Sequence, residues 1–484
     1  MAAQVDEETP LLPTAEGSSI PWFQFSIVLL LLLAEPLSAH IIYPFAAELI
    51  RDVGITHGDE THVGYYVGLL QSLFYLTEAI GVLYWGRLSD RVGRKPIILL
   101  GLFGLSISSL LFGLSTTFGM LVLSRCLCGA LNGNAGVIKT MITELTDTTN
   151  LPQLWAYIPF AWSTGTTIAP VIGGYLSRPA EHFPEYFGQN EFWKTHPYFL
   201  PCVIPAAFSA FTWIVGFYLL KETVKSPVPI SHLKKHCADN SVQESQDFVS
   251  MHDKPVELRG IFTPRIFTAV GNYAFLSLVE IAFRAIQPLF FATPVEFGGL
   301  GLPPSTIGNI LSLSGALSGI VQVFLFAKIH NHLGSKKTFV RGVVFAAPLF
   351  LTFPVARILV KARGMDTLVW VIIGLQAILP IGYGLAFGAV FMYINAASPD
   401  QASLGATHGF SQMSTSIMRA IGPVTASSLF SLSSGQNYLG GDLVYYVLFV
   451  VASVTICFRD FPPMCAPELS DRVSPRIAKS HMKK

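Results

Sequence analysis

Three glutamates, Glu35, Glu78 and Glu280, stand inside long apolar stretches of this chain, as do the cations Arg125, Lys139, Arg284 and Arg419. An ionisable group inside a bilayer is costly, so it faces a cavity or a partner. A carboxyl taken out of water holds a proton more readily, which suits it to load and release one. Glu35 lies about 13 residues into its stretch, or about 20 Å at about 1.5 Å per residue, close to the middle of a bilayer. No cation shares its helix, and His40 is its nearest titratable neighbour in sequence. Glu280 and Arg284 are spaced i,i+4, so the two can neutralise each other on one helix face. The spacing therefore favours Glu35 as a proton carrier, with Glu280 and Glu78 next. Arg419 has no carboxylate in its own stretch, which leaves it to hold an anionic group or a cavity glutamate. His40, Tyr43, Asn132, Lys139, Arg284, Gln287, Tyr383 and Arg419 are placed to line a central cavity and contact an organic substrate.

These residues need long helices to hold them. The chain has 484 residues, 51% hydrophobic and 13% charged, against about 25% charged in a soluble domain. Its mean hydropathy is +0.52. This composition describes a polytopic membrane protein whose helices satisfy their own backbone hydrogen bonds. Apolar stretches predict twelve spans, at 22–47, 63–85, 96–118, 119–143, 154–177, 198–220, 266–291, 304–329, 339–360, 367–395, 403–431 and 441–462. The expected fold is all-α and integral to the membrane, with twelve transmembrane helices in two pseudo-symmetric six-helix bundles. The expected divisions are a tail at 1–21, a first half at 22–220, a polar linker at 221–265, a second half at 266–462 and a basic tail at 463–484. Most Lys and Arg outside the spans fall on the side of both tails and the linker, which places the termini in the cytosol. Gly129, Asp147 and Pro170 recur at constant spacing as Gly382, Asp400 and Pro423, so the halves repeat.

The net charge of +1 suggests no nucleic-acid partner. The six cysteines show no metal-ligand pattern, and no phosphate-cradling loop or nucleophile elbow occurs, so neither a metal, a cofactor nor an enzymatic activity is expected. Residues 1–20 are acidic and polar, so no signal peptide is expected. They include Glu7-Glu8-Thr9-Pro10-Leu11-Leu12, similar to an acidic dileucine sorting signal.

The run Gly86-Arg87-Leu88-Ser89-Asp90-Arg91-Val92-Gly93-Arg94-Lys95 reads as a tight basic hairpin between the second and third spans. It resembles the signature loop of the major facilitator superfamily of transporters. The resemblance implies a structural and gating role for this loop, with Glu144 and Asp147 pairing with Arg91 or Arg94 to latch a gate. Arg125 with Gly129 is similar to the family's fourth-helix motif, whose arginine is linked with proton coupling. Gly165, Pro170, Gly173 and Gly174 resemble its antiporter motif, with Ala169 in place of a glycine. The stretch Arg125–Asp147 resembles fungal members related to zinc-induced facilitators and drug–proton antiporters. The resemblance implies proton-coupled export of a small organic molecule across the plasma or vacuolar membrane by a monomer. A proton-coupled nutrient importer of the same fold and a transport-inactive membrane sensor are the rival readings.

Overall fold

The computed structural model describes residues 20–145, 151–223, 263–397 and 404–457; the tails, most of the linker, and the positions of Asp147 and Asp400 lie outside them. The described residues form helices joined by turns, with no strand among them. In the first half these are α1 (Trp22–His40), α2 (Ala46–Val53), α3 (Val63–Val92), α4 (Arg94–Gly113), α5 (Phe118–Leu131), α6 (Asn134–Glu144) and α7 (Leu151–Leu176). Three short helices, α8 (Pro179–His182), α9 (Pro184–Phe187) and α10 (Glu191–Thr195), lead to α11 (Phe199–Leu219). The second half holds α12 (Pro264–Ala292), α13 (Pro304–Phe324), α14 (Phe326–Val344), α15 (Ala346–Arg363), α16 (Thr367–Ala397), α17 (Leu404–Gly435) and α18 (Leu443–Cys457). Among the described residues, eight helical stretches are long and apolar enough to cross a membrane by length and composition. Large apolar side chains such as Ile80, Leu123, Val371 and Ile378 face outward. Exposure of that kind suits a hydrocarbon surrounding, where it needs no burial in protein.

Several expected boundaries move. The hairpin at 86–95 is not a loop of that length. α3 continues through Val92, and only Gly93 separates it from α4, at φ 114° and ψ 158°. That conformation is essentially confined to glycine. The first span is two helices, because the chain turns over residues 41–45 before α2 begins. Pro44, with no amide hydrogen to donate, sits in that turn. The fourth span breaks at Asn132 and Gly133, so Asn132 caps the end of α5 and does not lie on a continuous helix face. The eighth ends at Phe324, and the ninth is divided between α14 and α15. Within α14 the backbone kinks at Gly334, with φ 75° and ψ 162°.

The two halves meet mainly along two helix pairs, α3 with α17 and α7 with α13. Both rely on small residues, which let helix backbones approach closely. A Cβ at Gly68 would stand 2.6 Å from the Pro423 carbonyl oxygen, and one at Gly308 would collide with the Pro170 carbonyl oxygen. Polar links reinforce the same end: Tyr65 N–H donates to Ser431 Oγ at 3.0 Å, and Val424 N–H donates to Ser72 Oγ at 2.9 Å. Arg51 Nη2 donates to the Ala292 carbonyl at 3.1 Å. All of these lie towards the Arg51 end of the bundle. Towards the Gly93 end, the described polar link between halves is Lys139 Nζ to Gln412 Oε1, at 3.2 Å.

Candidate functional site

α1 carries Glu35 into the interior just before Pro36, and the carboxyl is 7% exposed. Its Oε2 has no hydrogen-bond partner. The groups that face it are Asn132, Arg419 and Lys139, from the α5–α6 break, α17 and α6. Asn132 acts on the carboxyl from beyond bonding distance, since both atoms of its amide lack a partner too. Glu78 on α3 is buried, and the charges that act on it are those of Glu35, Arg419 and Lys139. α3 holds Glu78 this close because α5 packs tightly there. A Cβ at Gly129 would stand 3.1 Å from the Glu78 amide nitrogen and would strike the Phe74 carbonyl. The sequence suggested a lone Glu35 without a counterion; the fold makes it one of two facing carboxylates with two cations from other helices.

The second half adds a matching set. Arg284 Nη2 pairs with Glu280 Oε1 at 2.9 Å, and Arg284 Nε donates to the same oxygen at 3.0 Å. Arg419 faces Glu280 and Glu78 together with Tyr273 and Tyr75, and is half-buried. His40 is buried, its Nδ1–H donates to the Pro36 carbonyl at 2.9 Å, and it faces Arg284 and Arg419. Its ring meets Tyr43 edge-on at 5.2 Å. The Tyr383 hydroxyl donates to the Leu276 carbonyl, and the buried Gln287 Nε2 has no partner. Glu35, Glu78 and Glu280 thus stand against Lys139, Arg284 and Arg419 where the halves meet. Arg125 stands apart from this cluster. Cys128 faces Arg125, Glu35 and Glu78 alike.

At the Gly93 end, Arg94 Nη2 pairs with Glu144 Oε1 at 2.9 Å, and Arg94 Nη1 donates to Ser89 Oγ at 2.6 Å. Arg91 is exposed, and the side chains of Arg87 and Asp90 lie outside the described residues, as does Asp147. Gly86 has open space around it. The sequence reading overlooked Glu222. Its carboxylate accepts from the first amides of α4, Arg94 N–H at 2.8 Å and Lys95 N–H at 3.0 Å. That is where a helix leaves amides unpaired and favours an anion. Lys95 Nζ donates to the Phe217 carbonyl at 2.8 Å, tying α4 to α11. Thr223 donates to Glu144 Oε2 at 2.5 Å. A lone acidic residue directly after the sixth span was the one available signal.

The glycines of α7 work on both of its sides. A Cβ at Gly165 would stand 2.7 Å from Pro36, and one at Gly173 would strike the Ile41 carbonyl, so these two seat α1. Gly174 abuts Pro304 of α13, and the Pro170 carbonyl abuts Gly308. At the Arg51 end, Arg178 Nη2 pairs with Asp52 Oδ1 at 2.6 Å, and the Tyr198 hydroxyl donates to Asp52. Burial works against the Arg178 charge, but Tyr198 and Asp52 outweigh it and hold the guanidinium above its ordinary value.

The sequence profile of the Major Facilitator Superfamily matches residues 28–423. The efflux pump azaK of Aspergillus niger is 28% identical, covering 99% of this chain and 98% of its own. The Arabidopsis thaliana protein ZINC INDUCED FACILITATOR-LIKE 1 is 29% identical, covering 91% and 92%. A bacterial homologue of the human lysosomal transporter Spinster, solved inward-facing and unoccupied, superposes with TM-score 0.64 at 15% identity. It covers 91% of this chain and 95% of that one. A family match over most of the chain, joined to a helical bundle of this architecture, identifies a multi-pass membrane transporter rather than an enzyme: the chain belongs to the Major Facilitator Superfamily.

Proposed function

We propose that this transporter is a proton-coupled antiporter that moves a small organic molecule out of the cytosol, across the plasma or vacuolar membrane, by alternating access. The observation that carries the reading is the facing pair Glu35 and Glu78, set against Lys139 and Arg419 where the two halves meet. A carboxylate held in the interior can take up one proton and release it again. With Glu280 and Arg284 paired, loss of that proton balances the cluster, and its return leaves one net positive charge. A cationic group on the substrate competes with the proton for the same carboxylates, giving exchange at one site. Tyr43, Tyr273 and Tyr383 supply aromatic contact, and the Gly93-end contacts of Arg94, Glu144 and Glu222 hold the gate. The Aspergillus niger relative is named an efflux pump, which agrees with the direction.

The test is transport in proteoliposomes with an imposed pH gradient, using a panel of organic cations and neutral drugs. Glu35→Gln and Glu78→Gln are expected to keep substrate binding or self-exchange but lose gradient-driven accumulation, about tenfold or more. If both variants, and the double variant, still concentrate substrate with the wild-type pH profile, the proton site lies elsewhere.

A further inference from the structure

Arg125 is a cation without a carboxylate. It is 9% exposed on α5, and its guanidinium carbon stands 4.5 Å from the centre of the Phe112 ring. The ionisable groups that face it are Cys128, Cys202, Tyr43 and Tyr75, all neutral at ordinary pH. Among the described residues it makes no ion pair and no hydrogen bond. The aromatic face returns less to a buried cation than its desolvation costs.

The surroundings are built to receive something. Arg125 lines an internal cavity with Ser38 of α1, Ser108 of α4 and Cys202 of α11. Ser38 is 5% exposed and Ser108 is 2% exposed, and neither hydroxyl has a hydrogen-bond partner. The guanidinium also reaches a second cavity, where both ends of the Gln71 amide are likewise without partners. Buried donors left unmade are costly, and hydroxyls can turn to donate to an acceptor. One cation and two free hydroxyls, in a wall that also holds Ser109, Ser124, Ile41, Phe112 and Cys202, match a single negative charge of small radius. A divalent oxyanion would leave one charge unbalanced in that wall.

We propose that Arg125, Ser38 and Ser108 bind a small monovalent inorganic anion of halide size inside the first half. The bound anion is the counterion of Arg125. Its ligands come from α1, α4 and α5 of one half, so it stays bound whichever way the halves face. The assignment is independent of Glu35 and of the direction of transport.

The test uses the purified full-length protein in lipid nanodiscs, prepared in chloride-free gluconate buffer. Sodium chloride is titrated at constant ionic strength while thermal unfolding and binding of radiolabelled chloride are followed. Wild type is expected to show saturable binding and a saturable rise in Tm, reproduced by bromide and absent with sulfate. Arg125→Gln removes both. The double variant Ser38→Ala, Ser108→Ala keeps the arginine and weakens chloride by about tenfold or more, since each hydroxyl donates to a charged acceptor. Should Arg125→Gln fail to fold, the serine variant decides. The proposal is overturned if chloride and gluconate give superimposable unfolding and no label is retained. It is overturned equally if the serine variant binds chloride as wild type does.

Discussion

Glu35 depends on residues far from it in sequence. Periodicity and spacing speak within a helix, so they could pair Glu280 with Arg284 but could not reveal that Lys139 and Arg419 face Glu35. The same limit hid Glu222, whose role as a cap exists only once α11 ends beside the start of α4. Two outcomes follow at this scale. Arg419→Leu removes the cation whose charge acts on Glu78 and Glu280. It is expected to abolish transport or to lower the yield of monodisperse protein in size-exclusion chromatography, while Arg419→Lys recovers part of both. Normal transport by Arg419→Leu would place the residue outside the cavity. Glu222→Gln keeps the shape of the cap but weakens two charge-assisted bonds, together about 1–3 kcal/mol. A Tm lowered by several degrees, with Arg94 and Glu144 intact, is the expected reading in thermal unfolding.

The helices themselves were legible where apolar runs were long. Their interruptions were not, because an interruption is decided by tertiary contacts and one or two backbone angles. Gly93 shows this. The basic residues around it looked like a loop, yet Leu88 to Val92 continue α3 and let Arg91 reach water from a helix. Gly93→Ala forces a side chain into glycine-only backbone space, where its Cβ would also strike the Glu222 carboxylate. The expected loss is about 1–3 kcal/mol, read as a lower Tm and, if the end acts as a gate, reduced flux. A wild-type Tm would mean that α3 and α4 meet differently. At the interface of the halves, Gly308→Val would drive α13 away from the Pro170 carbonyl. It is expected to impair closure at the Arg51 end, so proteoliposomes carrying it should leak protons faster than wild type under an imposed gradient.

Among the described residues, the contacts of α3 with α17 gather towards the Arg51 end, while those of α7 with α13 extend inward to Ser163 and Gly319. Ser427 is fully buried against Gly68, whereas Gln412 lies towards the other end, bonded to Lys139. In a background without reactive native cysteines, Gln412→Cys should therefore label from the Gly93 side with a membrane-impermeant thiol reagent, while Ser427→Cys stays protected. Labelling of Ser427→Cys from the opposite side, appearing only during turnover, would mark the alternate state.

The interlocked glycines at the Arg51 end have an electrical consequence. A transmembrane potential falls across whatever is densest and driest, and here that is the seam of α3 with α17 and α7 with α13. Lys139, Arg284 and Arg419 are only partly buried; if that exposure opens towards the Gly93 end, the cluster sits at nearly the potential of that compartment. A proton arriving from that side crosses little of the field. In the proposed exchange the seam moves to the other end, and the cluster's net charge would then be carried through the field without travelling far itself. Each elementary charge so carried gains or loses about 2.3 kcal/mol per about 100 mV. Voltage then acts on the change of shape and hardly at all on protonation from the Gly93 side.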